Sequence, residues 1–323
     1  LEAVVIWGDK QLSRMHRLAP WLFRYSIPKG IGVTVYDLEF PSPLLISSYK
    51  LELDVLKTYL DMGAGSAIFK TIMKNKRAGN ARPRMQDIKM EGVPSLVNAV
   101  GLPGPGIHGY LRSIEPFVKN ADRPIGFSIG GDSVDDYFQV FQMIEKWMIQ
   151  YSAKQYYYEL NISCPNTAHG QMLSEQIPQL VGLLRTMRDY SSAVISVKCS
   201  PDQSNENLYQ IAEQVSKIGR CIINLGNTRR VPIYDLDVDP DALTRPVAGL
   251  SGPLLLDRTI EMVKIVAPIG VPIIATGGIS TIDDIRKLSD AGASLFAMAT
   301  AVVKDMYVIP RLNKDIRGLS ADR

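Results

Sequence analysis

Cysteine is scarce in this chain. The three present, Cys164, Cys199 and Cys221, form no C-x-x-C pair. That argues against an intrinsic zinc or iron–sulfur site built on paired thiols. So few thiols in a large chain fit a reducing compartment. No run approaches the ~20 apolar residues of a membrane span. Blocks of like charge and low-complexity tracts are absent too. The net charge is only +3, which gives no case for nucleic acid and mildly suits anionic small ligands. No G-x-G-x-x-G opens a first βα unit, which counts against a dinucleotide-binding open sheet. The one histidine near Cys164, His169, is on the same loop, a weak basis for a Cys–His hydrolase. The chain starts at Leu1, which leaves open a targeting peptide ahead of it.

What is present is an alternation. Hydrophobic residues make up 46% of 323 positions, enough for one large barrel or two smaller domains. Eight strand-like runs appear: Pro43–Ser47, Ala67–Thr71, Pro124–Ile129, Tyr157–Ile162, Ala193–Lys198, Cys221–Leu225, Pro272–Thr276 and Ser294–Ala299. Helix-like stretches separate them, among them Ser133–Gln150, Asn205–Ile218 and Thr281–Asp290. Ser204 and either Ser280 or Thr281 are suited to N-capping the last two. The pattern predicts an α/β protein, a (β/α)8 barrel over residues 31–323, with a doubly wound open sheet as the alternative. A β-ribbon is expected at Ile31–Phe40. Long insertions at 72–123 and 226–252 read as loops after strands two and six, on the face where barrels build active sites.

Residues 1–30 read as a helical extension. Leu12, Met15, Leu18, Ala19, Leu22 and Phe23 fall at helical spacing among Lys10, Arg14, Arg17 and Arg24. Such a helix packs on the body of the protein or touches a membrane or apolar partner. The expected location is cytoplasmic, with peripheral membrane contact through this segment as the variant.

The richest stretch is Tyr157 to Thr167, an apolar strand running into a turn with Asn161, Cys164, Pro165 and Asn166. Amides there suit a flat polar ligand beside a thiol, whose ordinary pKa of about 8.5 allows use as a base or nucleophile. Cys199 and Cys221, at strand edges, read as buried structural thiols. Other strand ends supply Lys70, Lys198, Asn227, Thr228 and Thr300. For Lys198 the alternative is a salt bridge to a neighbouring strand. Thr276-Gly277-Gly278, before a helix starting near Thr281, resembles a phosphate turn. Glycine allows close backbone approach, and free N–H groups converge there. A phosphate-bearing cofactor such as FMN is expected, and no metal.

Several ordered motifs together resemble the dihydroorotate dehydrogenases, FMN-dependent (β/α)8 barrels of pyrimidine synthesis. They are Lys70 with Arg77 to Arg84, Asn98 to Pro103, Asn161 to Thr167, Val197-Lys198, Asn227-Thr228, Gly249 to Gly252, Thr276 to Gly278, and Ala299-Thr300. The resemblance implies that Lys70, Asn98, Gly101, Leu102, Asn161, Asn166, Asn227 and Thr228 hold the pyrimidine. It gives FMN to Ser47, Ser48, Lys70, Ser128, Asn161, Lys198, Gly226, Ser251, Gly252, Gly277, Gly278, Ala299 and Thr300. Cys164 becomes the general base that takes the C5 proton of dihydroorotate as hydride passes from C6 to flavin N5. A cysteine base looks like the soluble class. Gly249 to Gly252, Pro165 to Thr167, Arg245-Pro246 and the N-terminal helix look more like the membrane class. The electron acceptor stays open among fumarate, quinone and NAD, the last requiring a partner subunit; a homodimer is compatible. Tyr49 departs from the family's small residues and is expected to narrow the FMN site; Ala248 replaces a usual glycine. A dihydropyrimidine dehydrogenase-like enzyme and a non-catalytic pyrimidine-binding barrel are the alternatives.

Overall fold

The computed structural model describes residues 1–90, 92–119, 121–163, 173–236 and 243–321. Helix α1 (Glu2–Leu18) leads to a hairpin of β1 (Val33–Val35) and β2 (Leu38–Phe40). Then follow β3 (Leu44–Ile46), α2 (Leu53–Asp61), β4 (Ser66–Ile72), β5 (Met85–Met90), β6 (Val93–Asn98) and α3 (Gly106–Lys119). The middle of the chain gives β7 (Ile125–Ile129), α4 (Val134–Gln150), β8 (Tyr156–Asn161), α5 (Ile177–Tyr190), β9 (Val194–Cys199) and α6 (Asn205–Ser216). The remainder gives β10 (Cys221–Leu225), β11 (Arg229–Pro232), β12 (Val247–Ser251), α7 (Leu256–Val266), β13 (Ile273–Thr276), α8 (Ile282–Ala291), β14 (Leu295–Met298), α9 (Thr300–Lys304) and α10 (Val308–Ala321).

Strands β3, β4, β7, β8, β9, β10, β13 and β14 close into a parallel barrel in that order. Each is one of the eight runs expected from the sequence, because a strand covered on both faces must be apolar almost throughout. Two apolar cores result. One fills the space between barrel and helices. The other lies inside the barrel, where Leu45, Ile68, Tyr157, Val194, Ile222 and Ile274 meet Val35, Leu38 and Phe40 of the hairpin. The hairpin therefore plugs one end and leaves the other for chemistry.

The two insertions are not loops. Strands β5 and β6 of the first and β11 and β12 of the second form one antiparallel sheet, ordered β11-β12-β6-β5. Its joint pairs Leu96 with Ser251, Val97 with Leu250 and Asn98 with Gly249. Val97, Val231, Ile233, Leu250 and Ala248 give it a small core of its own. Ala248 thus buries its methyl group.

Buried Glu145 of α4 ties helix to barrel. Its carboxylate accepts from Tyr158 Oη at 2.6 Å, Tyr156 Oη at 3.1 Å and Ser191 Oγ at 2.5 Å. Burial, reinforced by that carboxylate, pushes both tyrosine pKa values up. Glu145→Ala strands three donors with no acceptor. It should cost about 3 kcal/mol, since a buried donor without a partner carries its desolvation penalty. A lowered urea midpoint with unchanged slope checks this; an unchanged midpoint would make the network irrelevant to stability.

Candidate functional site

A cavity of about 1400 Å³ opens at the C-terminal ends of the barrel strands, more than the ~300–1,000 Å³ of an ordinary small-ligand site. The sheet of β5, β6, β11 and β12 covers it, and Glu2, Val5, Ile6 and Asp9 of α1 close one side. Helix α1 is held by ion pairs from Glu2 to Arg84 at 2.7 Å and from Asp9 to Lys50, and by a hydrogen bond between His16 Nε2 and Asp61 Oδ2 at 2.7 Å. Packing on the body is thus observed for this segment. Among the described residues no helix is long and apolar enough to cross a membrane.

Most of the expected site residues meet on this wall. Lys70, Asn98, Gly101, Leu102, Asn161, Asn227 and Thr228 line it, as do Ser47, Ser48, Lys198, Ser251, Gly252, Gly277, Gly278, Ala299 and Thr300. Cys164, Asn166 and His169 lie outside the described residues. Ser128 is buried behind the wall, 3.1 Å from Thr71 Oγ1. Gly226 is also off the wall, its Cα packed against Thr276 O.

The amides form one cluster. Asn161 Nδ2 donates to Thr71 Oγ1 at 3.1 Å, and Asn161 O accepts from Tyr137 Oη at 2.6 Å, which fixes the end of β8. Asn227 Nδ2 donates to Ser163 Oγ at 2.6 Å and stands 3.4 Å from Asn161 Oδ1. Asn98 Nδ2 donates to Gly249 O at 3.2 Å, so the joint between the insertions positions it. Ser163 was not singled out from the sequence; its contacts to Asn161 and Asn227 come from residues 2 and 64 positions away. Arg77, Arg82, Arg84, Arg230 and Arg245 also reach the wall. Their charge favours an anionic ligand, and only the folded insertions bring them together.

The phosphate expectation changes in one detail. Thr281 caps α8, and Asp284 Oδ2 accepts from Ser280 N at 2.9 Å and Thr281 N at 2.8 Å. Those N–H groups are spent on a capping box. The backbone N–H groups of Gly277 and Gly278 make no hydrogen bond among the described residues. Gly278 has φ +82°, and a Cβ there would lie 2.4 Å from Leu256 N. Thr300 Oγ1 stands 3.0 Å from Ser251 Oγ, across the same turn. Open donors at a turn that admits only glycine fit the phosphate of FMN. Tyr49 lines the cavity too, but its hydroxyl is 3.3 Å from that of Tyr59 on α2.

The ion pair to a neighbouring strand, the alternative for Lys198, is present: Nζ lies 3.6 Å from Glu159 Oε1 of β8. The remaining thiols are buried. Burial pushes Cys199 up to about 12 and also raises Cys221.

The family model described as dihydroorotate dehydrogenase matches residues 31–319. Similar proteins include the "Dihydroorotate dehydrogenase B (NAD(+)), catalytic subunit" of Bacillus pumilus, 30% identical over 80% of this chain and 80% of that protein. Those of Bacillus mycoides and Bacillus thuringiensis are 31% identical over 79% of this chain and 80% of theirs.

Proposed function

The chain belongs to the dihydroorotate dehydrogenase family and is an oxidoreductase of that type; from this premise we propose how its residues oxidise dihydroorotate to orotate. The observation that carries the reading is the meeting of Lys70, Asn98, Asn161, Asn227 and Lys198 on one wall beside the Gly277–Gly278 turn. Membership implies FMN, and that wall has the donors for it. The Gly277 and Gly278 N–H groups, with Thr300 and Ser251, would hold its phosphate, and Lys198, Ser47 and Ser48 would bind its ring. Asn98, Asn161 and Asn227 take the pyrimidine's amide edges, and Lys70 with the arginines of the rim balances its carboxylate. Cys164, the residue of the cysteine-base type, takes the C5 proton. When bound, FMN supplies the hydride acceptor, N5, for the hydrogen leaving C6. The covering sheet and α1 wall off part of the cavity from solvent, and polar contacts strengthen as water is displaced.

An anaerobic absorbance titration tests this. The protein loaded with FMN should be yellow and bleach on dihydroorotate. Reoxidation by fumarate, quinone or NAD then identifies the acceptor. A protein still colourless after FMN is added would sink the reading, as would bleaching by dihydrouracil alone.

A membrane-surface contact is the second part of the proposal. Trp7 and Trp21 are 64% and 68% exposed and Leu18 is 80% exposed, with Lys10, Arg14, Arg17 and Arg24 nearby in sequence. Large apolar groups beside basic ones suit an anionic bilayer surface. Trp7→Ser combined with Trp21→Ser should abolish sedimentation with anionic vesicles and leave bleaching by dihydroorotate unchanged. Equal sedimentation of the variant would refute the contact.

A further inference from the structure

Beneath the cavity wall sits a carboxylate that the reading above does not use. Glu159 of β8 is fully buried and does not line the cavity. It occupies the layer between the apolar barrel interior and the wall, beside Ser128 of β7 and Ser196 of β9 in register. Both of its oxygens are committed. Oε2 accepts from Asn224 Nδ2 at 2.7 Å, and Asn224 Oδ1 accepts from Thr276 Oγ1 at 2.6 Å. That second bond fixes which end of the amide faces the carboxylate. Oε1 accepts from Ser48 Oγ at 2.9 Å. Lys198 Nζ in turn donates to Ser48 Oγ and Ser47 Oγ, each at 3.2 Å, and stands 3.6 Å from Oε1.

Four strands and the turn after β3 therefore converge on one buried ion pair. A buried pair is a poor route to stability, because desolvation consumes most of the attraction. The layer below shows that apolar side chains fill this barrel readily. The pair stands where charge matters, with Lys198 on the wall where the flavin would lie and Glu159 directly beneath it. Reduction of a flavin adds negative charge, so an unopposed lysine would favour the reduced form strongly in a water-poor site.

We infer that Glu159 is the counter-charge of Lys198, a positioning residue that holds the ammonium against Ser47 and Ser48 and moderates its preference for reduced over oxidised flavin. The inference rests on the flavin reading and deepens it. Glu159 does not line the cavity and so would reach neither cofactor nor substrate directly.

The test is the midpoint potential of bound FMN, measured against reference dyes. Glu159→Gln should raise the affinity for reduced relative to oxidised flavin at least tenfold, an upward shift of ~30 mV or more for a two-electron couple. Lys198→Met should move it the other way. The double variant should return to within threefold of the wild type, and Glu159→Asp, which keeps the charge, should restore most of the wild-type value. A residue that only supports the fold would change flavin content and leave the potential in place. An unchanged potential in Glu159→Gln, or a shift in the same direction as Lys198→Met, would overturn the inference. Where Glu159→Gln does not fold, Lys198→Met against the double variant carries the comparison: removing the carboxylate from the Lys198→Met protein should raise the potential back toward the wild type, and equal potentials in the two would overturn the inference.

A flavin-free arm separates the two readings. In urea denaturation of the apoprotein, stability lost in Glu159→Gln should be recovered when Lys198→Met is added. No recovery would overturn the pairing even with the flavin reading intact. A wild type that takes up no FMN would overturn the flavin reading and the tuning with it, while recovery would still show the pair.

Discussion

Cys164→Ser should bind FMN as the wild type does and lose reduction by dihydroorotate by about 10²- to 10⁴-fold at neutral pH, the usual worth of a positioned general base. The reaction needs a group that accepts a proton from carbon at the moment hydride leaves. A thiol, with an ordinary pKa near ~8.5, offers a usable fraction of its basic form. An unassisted hydroxyl does not. No other thiol can take over. Cys199 is buried and pushed up to about 12, and Cys221 is buried and raised as well. The substitution leaves the proposed FMN donors, Gly277, Gly278 and Thr300, untouched, so cofactor content should stay constant. Stopped-flow absorbance under anaerobic conditions reads the rate directly. Bleaching at the wild-type rate would remove Cys164 from the mechanism.

The barrel was legible because its signal is local. Each of the eight strands is a short apolar run, and each run is its own evidence. The N-caps were local too: Ser204 accepts from Asn207 N at 3.2 Å, and Thr281 from Asp284 N at the same distance. The capping box at α8 could also have been read, since a Thr followed three residues later by an acid is its signature. That would have shown in advance that Asp284 takes the Ser280 and Thr281 N–H groups.

What was not legible depends on distant partners. The covering sheet joins residues 96–98 to 249–251, and nothing in either stretch names the other. Both were therefore read as long loops. Asn98 was picked out by motif, but its placement by Gly249 follows from that pairing. Glu159 was passed over as one polar letter in a strand. Its meaning comes from Lys198, Asn224 and Ser48 on other elements, which only barrel closure brings within reach. Tyr49 was legible as bulk at the cavity, which it lines, but the approach of its hydroxyl to that of Tyr59, 3.3 Å away on α2, was not.

Gly226→Ala should be the most damaging single methyl addition in the barrel. Its φ is +137°, a conformation that L side chains rarely adopt. A Cβ would lie 1.6 Å from Thr276 O and 2.6 Å from Thr276 C. These are backbone atoms of β13, so no rotamer change relieves the clash. Either β10 and β13 separate or the turn into Asn227 rebuilds. The first breaks the 2.6 Å bond from Thr276 to Asn224, on which Glu159 depends. The second withdraws Asn227 from Ser163 and Asn161. Overpacking and backbone strain together should cost about 3 kcal/mol or more. Against a total of about 5–15 kcal/mol, that lowers the urea midpoint sharply and removes FMN binding. Gly182→Ala on α5 is the control: nothing lies within 4 Å of its added Cβ, and alanine favours helix by up to about 1 kcal/mol. A Gly226→Ala protein with the wild-type midpoint and full FMN content would mean that β10 and β13 do not approach each other this closely. Gly226 brings the β10 backbone against β13, and the cavity wall depends on that contact.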